Sequence, residues 1–177
     1  MKSNIKKLAA EVVAKLKGAN LKIACAESCT GGLLSAAITS IEGASEVLDM
    51  SVTTYSNQSK IDYSDVTNDV LNLHGAVSAR TAMLMASGIR KRASADIGVG
   101  ITGIAGPGGG TPDKPVGTVW ISLEDFPSFS IKECRLDGDR DEIRNKAVKG
   151  ALELILEHLQ KAEQADINTG GLNDNDV

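Results

Sequence analysis

A short apolar run followed at once by a turn and a helical pattern constrains the fold of this chain more than any other feature. The run at 21–26 is too short for a typical helix, and it predicts a buried strand. Two glycines follow at 31 and 32, and apolar residues then recur at helical spacing, namely Leu33, Leu34, Ala37, Ile38 and Ile41. Residues 21–41 are therefore predicted to form a strand–turn–helix unit, which is a building block of α/β sheets.

Strand patterns and helix patterns continue to alternate along the rest of the chain. We expect further strands at 50–55, 96–101, 116–123 and 129–134, the last two joined as an antiparallel hairpin. Helices are expected at 4–17, 56–61 and 67–73, after a Ser78 cap and after an Asp139 cap. This order predicts a three-layer α/β/α single domain with a mixed, mostly parallel sheet. The domain is expected to span 1–161, followed by a polar, flexible tail at 162–177.

Composition narrows the partners and the compartment. Charged residues make up 24% of the 177 residues, the net charge is −4, and basic and acidic residues are interspersed. This balance argues against a nucleic-acid partner and a membrane surface. No apolar stretch approaches the roughly 20 residues of a membrane span. The three cysteines follow no disulfide or zinc spacing, so we expect a cytoplasmic protein without a structural metal.

Ser28 is the first candidate for chemistry, because it lies where the predicted strand ends and the next helix begins. A hydroxyl at that point is exposed at the carboxyl edge of the sheet, beside free backbone N–H groups. The alternative is that Glu27, Ser28 and Thr30 simply cap the helix. Cys29 is a rival nucleophile, but without a nearby histidine it is better interpreted as a small buried residue.

A serine nucleophile needs a base, and the sequence contains only two histidines, His74 and His158. Both lie near predicted helix ends, where a solvated or dipole-complementing role is common. A lysine whose pKa is lowered by burial is therefore the better candidate base. Lys60 is one of many lysines, and spacing alone does not separate it from the others.

Two further segments could contact a ligand. The glycine-rich loop at 102–110 could approach a ligand closely and offer unhindered N–H donors, or it could be a flexible connector. Arg140 and Arg144 lie four residues apart on the last predicted helix. They could grip a phosphate together, or they could pair with neighbouring carboxylates at the surface.

Six short motifs occur in order along the chain, and together they are far more specific than any one alone. They are Ala26-Glu-Ser-Cys-Thr-Gly-Gly32, Thr54-Tyr-Ser-Asn-x-x-Lys60, His74-Gly-Ala-Val-Ser78, Gly103-Ile-Ala-Gly-Pro107, Lys114-Pro-Val-Gly-Thr118 and Gly138-Asp-Arg140. Over about residues 5–160 this series resembles the CinA carboxy-terminal domain family, which includes stand-alone nicotinamide-nucleotide amidases. The chain departs from the family pattern at Gly108, where Asp is frequent, and at Thr102, where Ser is frequent.

The resemblance implies an amidohydrolase that cleaves the carboxamide of nicotinamide mononucleotide, giving nicotinic acid mononucleotide and ammonia. That reaction belongs to pyridine-nucleotide recycling. The resemblance also implies Ser28 as the nucleophile, Lys60 as its base and Thr102 as a supporting hydroxyl. The implied substrate-binding residues are Cys29, Thr30, Gly31, Gly32, Tyr55, Asn57, Gly103, Gly106, Arg140 and Arg144. No cofactor and no metal are implied.

The residues leave two alternative functions open. The same loops would bind a phosphate in a nucleotide-binding module without catalysis. The same nucleophile and base would serve an amidase for a different small amide. A homo-oligomer is also open, since an apolar helix face could support a dimer or a larger assembly.

Overall fold

A five-stranded sheet with helices on both faces organises the computed structural model, which describes residues 3–170 and the side chains of 3–164. The strands are β1 (Ile23–Glu27), β2 (Leu48–Thr53), β3 (Ile97–Gly103), β4 (Thr118–Asp125) and β5 (Ser128–Arg135). The helices are α1 (Ser3–Ala19), α2 (Leu33–Thr39), α3 (Asn57–Tyr63), α4 (Asn68–His74), α5 (Ala79–Ala93) and α6 (Arg140–Gly170). A 3₁₀ turn at Ala44–Glu46 precedes β2.

The strand order in the sheet is β2-β1-β3-β4-β5. The central strand pairs run parallel, with β1 between β2 and β3. β4 runs antiparallel to both of its neighbours, β3 and β5. Four of the five strands therefore point the same way, which confirms the predicted mixed, mostly parallel sheet.

The helices form a layer on each face of the sheet. α1, α2 and α6 pack together on one face, while α5 covers β1, β3 and β4 on the other, with α3 and α4 beside it. The larger apolar core lies on the α1, α2 and α6 side and includes Leu16, Ile38 and Leu152, all fully buried. A smaller core around Met85 and Ile89 lies under α5. These two cores confirm the predicted three-layer single domain.

Two glycines of β3 allow α5 to lie directly against the sheet. A Cβ atom on Gly98 would lie 2.1 Å from the carbonyl oxygen of Ala86, and one on Gly100 would lie 2.3 Å from that of Ala82. Real Cβ contacts are never that short, so both positions require glycine. The Gly-x-Gly spacing in this strand therefore serves helix–sheet packing.

Side-chain caps begin the two longest helices after β2, as the sequence predicted. Ser78 Oγ accepts a hydrogen bond from the Thr81 N–H at 3.2 Å. Asp139 Oδ1 accepts from the Glu142 N–H at 2.8 Å, and Glu142 Oε2 accepts from the Asp139 N–H at 3.0 Å. Both arrangements satisfy N–H groups that the first turn of a helix leaves unpaired.

The carboxyl-terminal part of the chain differs from the prediction. α6 continues to Gly170, whereas the sequence predicted a loose tail from Ala162. An ion pair between Lys15 of α1 and Glu163, with 2.9 Å between Nζ and Oε1, ties the extension to the domain. The rest of the predicted tail, 171–177, lies outside the described residues.

The turn between β4 and β5 is shorter than the sequence predicted. The β4–β5 turn consists of Phe126 and Pro127 alone, so both strands extend further toward the turn than predicted. Across residues 3–170, no helix combines the length and the apolar character needed to cross a bilayer.

Candidate active site

Ser28 directly follows β1, at the carboxyl edge of the sheet. Its backbone N–H donates to the carbonyl oxygen of Ile101 at 2.9 Å, which continues the pairing of β1 with β3 by one residue. The Ser28 side chain therefore leaves the sheet at a fixed position, with 8% of the residue exposed. This placement agrees with the strand–turn–helix unit that the sequence predicted.

The carboxylate of Glu27, and not the Ser28 hydroxyl, caps α2. Glu27 Oε2 accepts from the N–H groups of Gly32 at 3.1 Å and Leu34 at 3.0 Å. Glu27 Oε1 accepts from the Ser35 N–H at 2.9 Å and the Ser35 hydroxyl at 3.0 Å. Glu27 is fully buried, so these bonds replace the water that the carboxylate loses. Of the residues that the sequence offered as a helix cap, Glu27 therefore caps α2, and the Ser28 hydroxyl takes no part in the cap.

Lys60 contacts Ser28 from the neighbouring strand-end segment. Lys60 Nζ donates to Ser28 Oγ at 3.1 Å, to the carbonyl oxygen of Thr54 at 2.9 Å and to that of Tyr55 at 3.4 Å. The residue is 2% exposed, and the contacts of its Nζ are all with uncharged oxygens of the described residues. Burial lowers the pKa of Lys60 below its ordinary value.

The local sequence explains why Lys60 reaches this point. Ser56 begins α3 with a reciprocal cap, in which Ser56 Oγ accepts from the Ser59 N–H at 3.0 Å. α3 therefore starts immediately after β2, and β2 lies beside β1 in the sheet. The first turn of α3 then brings Lys60 back across the carboxyl end of β1.

The side chains of the other candidate nucleophile and bases form no hydrogen bond to Ser28 or Lys60. Cys29 is 6% exposed, and burial raises the pKa of its thiol to about 12. His158 Nε2 lies 3.0 Å from Asp125 Oδ2, and Asp125 pairs with Ile97 at the end of β3 remote from Ser28. The His74 side chain is exposed, and Lys114 Nζ donates a hydrogen bond to the His74 carbonyl oxygen at 2.8 Å.

The turn after Ser28 contains backbone N–H groups that have no carbonyl or carboxylate partner within residues 3–170, and the Cys29 N–H interacts with its own thiol. The Gly31 N–H donates to the Ser28 carbonyl oxygen at 3.0 Å, and the Gly32 N–H donates to Glu27. The N–H groups of Cys29 and Thr30 donate to no carbonyl or carboxylate of the described residues. Two donors next to a nucleophile can stabilise an oxyanion.

Arg144 of α6 supports this turn from outside. Its Nε donates to the carbonyl oxygen of Cys29 at 3.2 Å, and one terminal nitrogen donates to that of Thr30 at 2.9 Å. The other terminal nitrogen lies 3.3 Å from Asp141 Oδ1. Arg144 therefore holds the backbone of the nucleophile turn, while the surface ion pair takes only one of its three nitrogens.

Arg140 joins two other predicted site segments. One terminal nitrogen donates to the carbonyl oxygen of Gly106 at 2.7 Å, and the second donates to the Tyr55 hydroxyl at 2.9 Å. Tyr55 is 61% exposed, and Asn57 is exposed on the first turn of α3. The arginine thus connects the end of β2 with the glycine-rich loop at 102–110.

The backbone of the glycine-rich loop packs closely against the side chains of two valines. Gly106 has a φ of +76°, and a Cβ atom there would lie 2.5 Å from a Val116 methyl group. A Cβ atom on Gly103 would lie 2.7 Å from a methyl group of Val119. Gly108 faces open space. The close packing at Gly103 and Gly106 favours an ordered loop over a flexible connector.

Thr102 is buried at the end of β3, but its hydroxyl faces a neighbouring loop. Thr102 Oγ1 donates to the carbonyl oxygen of Ala76 at 2.7 Å and forms no hydrogen bond to Ser28 or Lys60. Thr81 Oγ1 donates to the adjacent Gly75 carbonyl at 2.7 Å. Thr102 therefore joins the segment between α4 and α5 to the end of β3, and Thr81 joins the same segment to α5.

Comparison with known proteins identifies the family of this chain. The family described as the CinA C-terminal domain matches residues 5–159. The chain belongs to the CinA C-terminal domain family. A competence-damage inducible protein of Acetivibrio thermocellus is 47% identical over 142 residues, which cover 80% of this chain and 34% of that protein. A CinA-like protein of Syntrophotalea carbinolica is 47% identical over 152 residues, covering 86% and 37%.

The chain spans about a third of the length of these curated relatives. Solved structures of similar size match it over nearly their whole length. The competence/damage inducible protein CihA from Agrobacterium tumefaciens shares 40% identity with a TM-score of 0.86, covering 90% of this chain and 98% of that one. A CinA superfamily protein from Klebsiella pneumoniae shares 32% identity with a TM-score of 0.86, covering 89% and 98%. These likenesses establish the family and the fold.

Several contacts in this CinA domain lay beyond sequence reasoning. The carbonyl oxygens of Thr54, Tyr55 and Ala76 carry no side-chain signal, so the sequence did not identify them as partners. The bond from Lys114 to the His74 carbonyl joins two of the six motifs, and the joint presence of those motifs was the only signal for it. Within the described residues, no group of three or more His, Cys, Asp or Glu side chains is placed to hold a metal ion.

Proposed function

We propose that this CinA domain hydrolyses the carboxamide of nicotinamide mononucleotide to nicotinic acid mononucleotide and ammonia. The observation that carries the proposal is the 3.1 Å contact between Lys60 Nζ and Ser28 Oγ inside a buried site. A buried lysine beside a serine hydroxyl is the arrangement that Ser/Lys hydrolases use to generate an alkoxide-like nucleophile. Three free thiols fit the reducing cytoplasm expected for such an enzyme.

The contacts of Lys60 suit an uncharged amine. A neutral amine has two N–H donors and one lone pair, whereas an ammonium group has three donors and no acceptor. In the uncharged state the carbonyl oxygens of Thr54 and Tyr55 take the two donors, and the contact with Ser28 reverses, so that the Ser28 hydroxyl donates to the lone pair. The lowered pKa of Lys60 increases the fraction of the amine in this state at a given pH.

The reaction follows in two steps. Ser28 Oγ attacks the amide carbon while Lys60 takes the hydroxyl proton, and the N–H groups of Cys29 and Thr30 stabilise the oxyanion. Lys60 then gives the proton to the departing nitrogen, so that the C–N bond breaks, ammonia leaves and an ester to Ser28 remains. A water molecule then attacks the ester while Lys60 takes one of its protons. The bond between the acyl carbon and Ser28 Oγ breaks, Lys60 returns the proton to Ser28 Oγ, and the carboxylic acid leaves.

The phosphate of the nucleotide needs a separate anchor, and we assign it to Arg140. Its two terminal nitrogens are bonded to uncharged acceptors, Tyr55 Oη and Gly106 O, which a phosphate dianion would displace with a gain in charge pairing. Arg144 is committed to the backbone of the nucleophile turn. The substrate would then lie between Ser28 and the segment that joins Tyr55 to Gly106.

The direct test is to incubate the pure protein with nicotinamide mononucleotide and to measure ammonia and the acid nucleotide. Nicotinamide riboside, which lacks the phosphate, and free nicotinamide serve as matched substrates. We expect ammonia and the acid nucleotide in equal amounts, with a much higher kcat/KM for the phosphorylated substrate. Tight binding of the nucleotide without ammonia release would instead favour a nucleotide-binding module. Turnover of other small amides alone would assign a different substrate.

A further inference from the structure

The β4–β5 hairpin exposes three large apolar side chains, half of those that the described residues expose. The exposed fractions are 70% for Phe126, 37% for Phe129 and 41% for Ile131. The other three, Tyr55, Tyr63 and Leu73, belong to separate segments of the chain. A local concentration of exposed apolar surface is typical of an interaction site.

The same hairpin has a free backbone edge, because β5 is the last strand of the sheet. Asp125 and Ser128 face each other across the two-residue turn, so they form a hydrogen-bonded pair, and such pairs alternate with non-hydrogen-bonded ones along the ladder. The alternate residues of β5, beginning with Phe129 and Ile131, therefore direct their N–H and C=O groups away from β4. An edge of this kind is a template for another strand.

The side chains on this edge are also the uncovered ones. Phe129, Ile131, Glu133 and Arg135 lie on one face of the sheet, and all four are exposed. Their neighbours point to the opposite face, where Cys134 is buried and lies near Gly150 of α6. Apolar side chains and unpaired backbone groups therefore occupy the same surface.

The opposite edge of the sheet lacks this combination. β2 exposes only the polar side chains of Asp49, Ser51 and Thr53, while its apolar residues are half-buried. β2 therefore presents no exposed apolar side chain that a partner strand could cover. β5 is thus the edge that is suited to association.

We propose that two copies of this chain join through β5, with the two strands antiparallel about a two-fold axis at Ile131. A two-fold interface must be self-complementary, and an antiparallel pair of identical strands meets that condition. Ile131 would face Ile131 of the second copy, and Phe129 would face Glu133. Each of these pairs exchanges main-chain hydrogen bonds through the groups that β4 leaves free.

The charges of β5 select this register. Centring the axis on Lys132 would place two ammonium groups opposite each other, and centring it on Glu133 would do the same with two carboxylates, both of which are destabilising. With the axis at Ile131, Lys132 faces Ser130 and no like charges are opposed. Centring on Ser130 also avoids like charges, but it leaves Glu133, Cys134 and Arg135 unpaired. The register at Ile131 keeps nearly the whole strand in the ladder.

The dimer would leave both candidate active sites accessible. Ser28 follows β1, which is separated from β5 by β3 and β4. The two-fold axis reverses the strand direction in the second copy, so the two sites open at opposite ends of the joint sheet. The proposed association is therefore independent of the proposed amidase activity, and either can fail without the other.

The mass in solution tests the association, using light scattering over a range of protein concentrations. We expect twice the chain mass of 18.5 kDa at high concentration. Ile131→Lys, which opposes two ammonium groups at the axis, should shift the chain to the monomer. Leu73→Lys is the matched control, because Leu73 is 80% exposed on α4 and should leave the dimer intact. Far-UV circular dichroism checks that both variants fold.

Disulfide trapping tests the register. Opposed residues at the axis have Cα atoms about 5.5 Å apart, which lies within disulfide range. Under mild oxidation Ile131→Cys should therefore form a covalent dimer, whereas Ser130→Cys and the parent chain should not. A monomer at all concentrations, a dimer that survives Ile131→Lys, or cross-linking of Ser130→Cys in place of Ile131→Cys would each overturn the proposal.

Discussion

Lys60 Nζ lies 3.1 Å from Ser28 Oγ, and the two residues come from separate segments that β1 and β2 bring together. Two carbonyl oxygens complete the surroundings of the amine, and no carboxylate of the described residues neutralises it. The charged form of Lys60 is therefore disfavoured by burial. The stability of the protein and its proposed activity should respond in opposite ways to the loss of this amine.

Replacement of Lys60 by methionine should abolish ammonia release without destabilising the fold. Methionine fills a similar volume, and it removes an amine whose charge is costly to bury. We expect a free energy of unfolding equal to or higher than that of the parent chain, measured by urea denaturation at pH 7. A large loss of stability would mean that the amine is primarily structural.

The pH dependence of kcat/KM should rise with pH to a plateau, because only the uncharged Lys60 can accept the Ser28 proton. The midpoint should lie below the ordinary lysine value of about 10.4. Between the folded-state and unfolded-state pKa values the unfolded chain binds more protons, so the free energy of unfolding should also rise with pH in that window. The Lys60→Met variant provides the control, since it should lack this rise in stability.

Glu27→Gln should lower both stability and turnover. The amide retains one acceptor oxygen, so N–H groups at the start of α2 lose their partner, at a cost of about 1–3 kcal/mol. Ser35→Ala removes the hydroxyl contacts to Glu27 and to the Gly32 carbonyl oxygen but keeps the Ser35 N–H bond to Glu27, and it should cost about 1 kcal/mol. Urea unfolding measures both values. Equal losses in the two variants would contradict the role assigned to the carboxylate.

Replacements of the two arginines of α6 should have different effects on the kinetic constants. Arg140→Ala should raise KM for nicotinamide mononucleotide, with little effect on nicotinamide riboside, because only the nucleotide carries the phosphate. Arg144→Ala should lower kcat for both substrates, since it releases the carbonyl groups of Cys29 and Thr30. Steady-state kinetics on both substrates distinguishes these patterns, and an exchange of the two effects would reverse the assignments.

Local patterns predicted the elements of this fold well. The strand–turn–helix unit, the Ser78 and Asp139 caps and the hairpin all depend on residues that are close in sequence, and the structure has each of them. α6 runs to Gly170, past the loose tail predicted from Ala162, and Glu163 of that segment contacts Lys15, which is far away in the chain. The compositional change near Ala162 carries no information on such a contact.

The site was less accessible to sequence reasoning. Spacing did not separate Lys60 from the other lysines, because its proximity to Ser28 depends on β2 lying beside β1. The family motifs singled it out. The choice of Glu27 over Ser28 as the helix cap depends on the reach of the longer side chain into the first turn of α2. Both outcomes are set by tertiary geometry.

The rate of ammonia release from nicotinamide mononucleotide, compared among Ser28→Ala, Cys29→Ala and the parent chain, tests the central claim most directly. The account predicts that Ser28→Ala loses essentially all turnover. It also predicts that Cys29→Ala keeps much of it, since the Cys29 thiol stays protonated with a pKa of about 12. Full activity in Ser28→Ala, or loss of activity in Cys29→Ala alone, would contradict the assignment of Ser28 as the nucleophile.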